Sequence, residues 1–230
     1  MTVIDPHSSQ IQQKLAQLRR HDRSLVVFGA DSHKYCLKPT ASEQTVLAFE
    51  EHYGISLPPE YRRFIRTVGN GGAGPNYGIF SLDEAAVELE YESASSPWVS
   101  HLAKPFSPPQ TFEEAEELDF LAPGVLPVCH QGCGSMVVLV VSGSERGNIW
   151  YWSNTWIPCP QPGSYPSAAP NAGSNIESGK EMTEWQRWAT KLLAKDNTYR
   201  IDFLDWYEEW LDEKLTAYRE QTYPFGLLYR

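Results

Sequence analysis

Several things are scarce in this chain, and each shortage narrows what it can be. Long apolar runs are missing: the longest, Met136 to Val141 ("MVVLVV"), spans six residues. That is far short of the roughly 20 a membrane-spanning helix needs, and it is the length of a buried strand. Cysteine is sparse, with four in 230 residues, scattered at 36, 129, 133 and 159. The opening "MTVIDPHSSQ" has no basic region followed by an apolar one. A disulfide scaffold and a secretory leader are therefore not expected, and reduced thiols in a cytoplasmic protein are.

Positive charge is also short. There are 19 Lys and Arg against 29 Asp and Glu, a formal net charge of −10. The deficit is local: residues 83 to 119 hold ten acids against Lys104 alone, a net of −9, while residues 1 to 40 carry a net of +3. Such a patch repels nucleic acid and attracts basic proteins. The plainer reading of the same charge is a solubilising surface.

What is present suits one globular domain. Hydrophobic residues make up 41% of the chain, and 8 Trp, 12 Tyr and 9 Phe give enough apolar surface for a sizeable core. Ile11, Leu15 and Leu18 recur at helical spacing after Ser8 and Ser9. "SLVVFG" (24–29) and "SHKYCLKP" (32–39) read as strands. A helix follows, with Thr40 and Glu43 matching a capping box, Val46, Phe49 and Tyr53 on one face, and Gly54 as its stop. The next helix opens on Pro58–Pro59 and buries Tyr61, Ile65 and Val68. "YGIFSL" (77–82) reads as a strand, and Thr111 to Asp119 as an acidic helix. "GVLPVC", "GSMVVLVVSG" and "GNIWYWS" are three more strands, the last two joined as a hairpin across Ser144–Arg146. Residues 153 to 180, rich in Pro, Gly, Ser and Asn, read as an irregular loop. The closing helix places Phe203, Tyr207, Trp210 and Lys214 on one face, widened by Trp206 and Leu211. Regular βαβ alternation and internal repeats are missing. The expected class is α+β, a single domain with a mixed, largely antiparallel sheet flanked by helices.

The glycine run "RTVGNGGAGPNYGIF" contains a literal G-x-G-x-x-G at Gly69, Gly71 and Gly74. A dinucleotide site needs strand, turn, then helix, so that the helix N-terminus faces the pyrophosphate. Here a helix precedes and a strand follows, which turns the negative end of the helix dipole toward the glycines. A tight structural turn built from Asn70, Gly71, Gly72, Tyr77 and Gly78 fits better. "CHQGC" offers Cys129, His130 and Cys133, but a zinc site needs four ligands and no second pair exists. Cys133, beside the strongest strand, is expected to be a small buried hydrophobe. A Cys133–His101 nucleophile pair has no local motif to support it. Neither cofactor nor metal nor catalytic residue is expected.

Three ordered stretches together resemble the SUKH superfamily. "FEEHYGISLPPEYRRFIRTVGNGGAGPNYGIFSL" (49–82) is similar to its N-terminal signature, with Glu50 or Glu51, Gly54, Leu57, Pro58, Tyr61, Arg62 and Phe64, then Asn70, Gly71, Gly72, Tyr77 and Gly78. "LPVCHQGCGSMVVLVVSGSERGNIW" (126–150) resembles its G-C-G turn, apolar strand and G-x-E-x-G hairpin, and "FLDWYEEWLD" (203–212) its closing helix. The family includes fungal cell-wall assembly regulators and bacterial immunity proteins. The resemblance implies an α+β fold, no catalysis, and in bacteria a cytoplasmic protein that neutralises a cognate protein toxin, often a nuclease. The alternative is an interaction scaffold in cell-wall or signalling regulation.

On that reading the chain divides into an N-terminal helix (1–23), a SUKH-like domain (24–215) and a C-terminal extension (216–230). Glu113, Glu114, Glu116, Glu117 and Asp119 are the candidate partner-binding charges. A monomer or weak dimer that binds neither nucleic acid nor membrane is expected.

Overall fold

The computed structural model describes residues 6–91, 101–118, 122–153, 155–159, 184–194 and 200–220. Among them, eight helices and a four-stranded antiparallel sheet form one α+β domain. The helices are α1 (Pro6–His21), α2 (Ala30–His33), α3 (Glu43–Tyr53), α4 (Pro59–Thr67), α5 (Leu82–Tyr91), α6 (Phe112–Glu117), α7 (Glu184–Leu193) and α8 (Phe203–Arg219). The strands are β1 (Val125–Gly132), β2 (Ser135–Val140), β3 (Ile149–Trp152) and β4 (Trp156–Pro158). They lie side by side in sequence order.

The period-two alternation of β2 splits the core into two layers. Val137 and Leu139 face a layer with Tyr61, Phe64 and Tyr207, while Met136, Val138 and Val140 face one with Phe106, Trp150 and Trp156. Helix α8 fills the first layer. Asp202 caps it by accepting from the amides of Leu204 (2.9 Å) and Asp205 (3.0 Å). Phe203, Tyr207, Trp210 and Leu211 are buried as their spacing predicts, while Lys214 lies at the rim beside Glu213. Helix α1 sets Ile11, Leu15 and Leu18 into the same layer. Its Lys14 bridges Glu208 (3.1 Å) and Asp212 (2.8 Å) of α8.

The expected strands at 24–29 and 32–39 do not form. The Asp22 carboxylate, 2% exposed, accepts from the amides of Val26 (2.8 Å) and Val27 (3.1 Å) and from the Tyr35 hydroxyl (2.7 Å). A side chain thereby satisfies amides that a ladder would otherwise use. Burial opposes ionisation of Asp22, but the Tyr35 hydroxyl and the two amides outweigh it and hold the carboxyl below its ordinary range. The second segment forms α2 and then a single bridge, Leu37 to Gly72.

Other boundaries shift for local reasons. Ser42, not Thr40, caps α3, its hydroxyl accepting from the Thr45 amide at 3.0 Å. Glu43 is instead held by Arg62 (2.5 Å) and Arg66 (3.1 Å). "YGIFSL" makes one bridge from Ile79 to Gly72 and then bends into α5. Helices α5 and α7 and strand β4 add to the elements expected from the sequence. β4 falls in the stretch read as loop, of which residues 160–183 lie outside the described residues.

Candidate interaction surface

The motif residues of 49–82 spend their polar atoms on the fold. Glu50 is the acid that matters: its carboxylate accepts from the Leu57 amide at 2.8 Å and faces Arg62 at 3.4 Å, while Glu51 is exposed. Arg146, in the G-x-E-x-G turn between β2 and β3, donates to the carbonyls of Ser56 and Leu57, both at 3.0 Å. Its neighbour Glu145 holds Arg200 at 2.7 Å. These contacts fasten the α3–α4 turn to the β2–β3 hairpin and the hairpin to the approach of α8.

The glycine run is a chain crossing, not a phosphate cradle. It lies between α4 and the bridge at Ile79, the order that the dipole argument rejects for an anion site. Gly72 exchanges backbone hydrogen bonds with Ile79 (2.8 and 2.7 Å), and a Cβ there would stand 2.5 Å from the Cys36 carbonyl. Its φ of 98° and that of Gly71, 89°, also suit glycine alone. Asn70 Oδ1 accepts from the Leu82 amide at 3.1 Å and so starts α5. From the far side, the buried Tyr207 hydroxyl donates to the Ala73 carbonyl at 2.7 Å. Gly78 closes on the Pro75 carbonyl at 2.9 Å. Tyr77 differs from the other turn residues: it is 44% exposed and its ring meets Phe28 edge-on at 5.2 Å.

The acidic segment resolves into two helices at opposite sheet edges. α5 lies against β1, whereas α6 lies against β4 and α7. Three strand spacings, roughly 14 Å, separate those edges. On α6, Thr111 caps the helix by accepting from the Glu114 amide at 3.2 Å, and Phe112 and Ala115 are buried. Glu113, Glu114, Glu116 and Glu117 are exposed, and Asp119 lies outside the described residues. Glu114 is partly committed, accepting from the Gln110 amide at 2.7 Å. Partial burial and then the charge of Glu113 raise the Glu116 carboxyl above its ordinary value. Glu113, Glu116 and Glu117 meet no cation among the described residues.

The sequence reading passed over α5, yet its signal was there. Ser81-Leu-Asp-Glu84 is a capping box: Glu84 accepts from the Ser81 amide (2.8 Å) and Ser81 Oγ from the Glu84 amide (3.3 Å). Leu82, Ala85 and Leu89 are buried on one face. Asp83, Val87 and Glu90 are exposed on the other, and Glu88 approaches His130 at 3.3 Å.

The cysteines divide differently from expectation. Cys133 is exposed, not buried, because it sits in the β1–β2 turn with φ 50°, between Gly132 (φ 93°) and Gly134 (φ 79°). Cys129 and Cys159 are the buried thiols, and burial pushes each up to about 12. The main-chain carbonyl of His101 accepts from the Gly124 amide at 3.2 Å, which places His101 at the start of β1. Cys133 lies past the far end of that eight-residue strand, roughly 25 Å away at about 3.3 Å per residue. No helix among the described residues is long and apolar enough to cross a membrane.

In comparison with known families, the model of the SMI1/KNR4 family (SUKH-1) matches residues 40–178. No curated protein matches the chain.

Proposed function

The chain belongs to the SMI1/KNR4 family (SUKH-1), and we propose that it is a non-catalytic, cytoplasmic immunity protein that neutralises a cognate toxin by stoichiometric binding. The observation that carries this reading is a division of labour among the charged side chains. Those of the matched motifs tie the fold together, while Glu113, Glu116 and Glu117 of α6 are exposed and meet no cation among the described residues. A surface of that kind raises the encounter rate with a basic partner and repels nucleic acid. Enzymes that act on nucleic acid are commonly basic, so a nuclease toxin is the partner class that suits it best. Glu113, Glu114, Glu116, Glu117 and Asp119 draw the partner in. Burial holds Cys129 and Cys159 protonated, and Cys133 is remote from His101.

Growth protection tests this. The chain is co-expressed with the candidate toxin, and Glu113, Glu116 and Glu117 are then changed together to Lys. Protection by the parent and weakened protection by a folded reversal variant are expected. Full protection by the folded variant removes α6 from the account. Absence of a toxic partner leaves the scaffold reading in cell-wall or signalling regulation.

A further inference from the structure

Part of the backbone strain among the described residues gathers where three loops meet. Among the described residues, five non-glycine residues have positive φ: Leu25 (53°), Lys34 (51°), Tyr35 (55°), Asn76 (51°) and Cys133 (50°). Leu25, Asn76 and Cys133 belong to three loops far apart in sequence that meet, while Lys34 and Tyr35 follow α2. Phe28 and Tyr77 stack edge-on at 5.2 Å, and Gly29 packs onto the Asn76 carbonyl so closely that a Cβ there would stand 1.8 Å away. A Cβ on Gly132 would lie 3.2 Å from the Tyr77 ring. Conformations costing about 1–3 kcal/mol apiece persist only where surrounding structure enforces them, and they gather at functional sites.

Enforcement is visible in the first loop. The buried Asp22 carboxylate clamps the Val26 and Val27 amides. Leu25 and Val27 turn inward against the core, while Val26 and Phe28 remain 41% and 49% exposed. Tyr77, at 44%, meets Phe28, so two of the five exposed large apolar residues of the described chain are in contact and a third, Val26, lies two residues away in sequence. A fourth, Val87 at 59%, lies on α5 next to Glu88, which reaches the same hairpin through His130, two residues before Gly132. The described part of α5 carries four acids, Asp83, Glu84, Glu88 and Glu90, and no base. An apolar, pre-shaped patch bordered by an acidic helix matches a protein surface with apolar anchors and a rim of Arg or Lys, and it opposes nucleic acid.

We infer that Val26, Phe28 and Tyr77, with Val87 and the acidic face of α5 beside them, form the seat for a basic protein partner. The partner inserts apolar side chains against Phe28 and Tyr77, where an arginine can also lie over the rings. Its remaining cations face the exposed Asp83. The bound partner covers this β1 edge and leaves α6, at the β4 edge, outside its footprint. This rests on the reading that the chain acts by protein binding. It adds a separation of roles, with α6 speeding encounter and the Phe28–Tyr77 patch holding the complex.

The test places the photo-crosslinker p-benzoylphenylalanine at position 77 or position 116 of the full chain in its native host. The captured protein is identified by mass spectrometry, purified and titrated against the chain. The inference expects a crosslink from position 77 and none from 116, to a protein with a pI above that of this chain. Phe28→Asp and Val87→Asp, each with an unchanged melting curve, should weaken Kd by about 30-fold and severalfold respectively, chiefly through faster dissociation. Crosslinking from 116 alone, capture of an acidic protein or a nucleic acid, or parental affinity in folded Phe28→Asp overturns it. If the partner crosslinked from 77 does not arrest growth when expressed alone, the immunity reading fails and the seat stands. If a toxic partner crosslinks only from 116, the seat fails and the immunity reading stands.

Discussion

The acids of α3 and the β2–β3 turn and the acids of α6 have the same chemistry and opposite uses. Glu43, Glu50 and Glu145 each face an arginine within 3.4 Å, and Glu50 also holds a backbone amide. Glu113, Glu116 and Glu117 face solvent, and Glu116 titrates above its ordinary value through partial burial and the neighbouring Glu113. Paired acids order the segments they join. Unpaired acids repel one another, raise the local field and remain available to something outside the molecule. The acids of α3 and of the β2–β3 turn are therefore scaffold, and the proposed function assigns partner recognition to acids that meet no cation among the described residues.

The contrast can be broken in order of expected effect. Trp210, 7% exposed among Tyr207 and His33, anchors the scaffold side. Trp210→Ala should destabilise by about 3–5 kcal/mol, read from denaturant midpoints. An unshifted midpoint would show that α8 does not hold the core. Tyr207→Phe removes only the hydroxyl that donates to Ala73 at 2.7 Å. It should cost about 1–3 kcal/mol, because a buried carbonyl is left unpaired. A neutral result would mean that the glycine crossing holds without α8.

Acidification should separate the two regions as well. Burial lowers His33 from 6.5 to about 4. A His with a depressed native value charges more readily in the unfolded chain, so its contribution is complete above 6.5 and is lost as pH falls toward 4. The melting temperature should drop across that window in the parent and less steeply in His33→Asn. Equal slopes would remove His33 from the acid response. The smallest effect on stability belongs to the other side. Glu116→Gln should shift the melting curve by no more than about 0.5 kcal/mol, toward greater stability if repulsion from Glu113 is relieved. A loss above about 1 kcal/mol would mean that α6 is scaffold after all.

Much of the scaffold was legible in the sequence, because periodicity and caps act locally. The helical spacing of Ile11, Leu15 and Leu18, the stop at Gly54, the apolar run of β2 and the α8 stripe all appear as expected. "SLVVFG" misled because its strand propensity is overridden by Asp22, a single buried carboxylate whose partners lie up to 13 residues away. Helix α5 has a local signal in its Ser81–Glu84 box, which the acidity of the segment masks. Cys133 misled because burial was read from the adjacent strand, while the positive φ of three consecutive residues turns it outward. The meeting of Phe28, Tyr77 and Gly132 depends on tertiary packing across more than a hundred residues, and no local pattern announces it.

The most direct test of the central claim is a tagged pull-down from the native host, followed by reconstitution of the co-purifying protein at one-to-one ratio and expression of that protein alone. The account predicts a single basic partner that arrests growth alone, is tolerated with this chain present, and separates from it at high salt. A set of cell-wall or signalling proteins, none of them toxic alone, would contradict it.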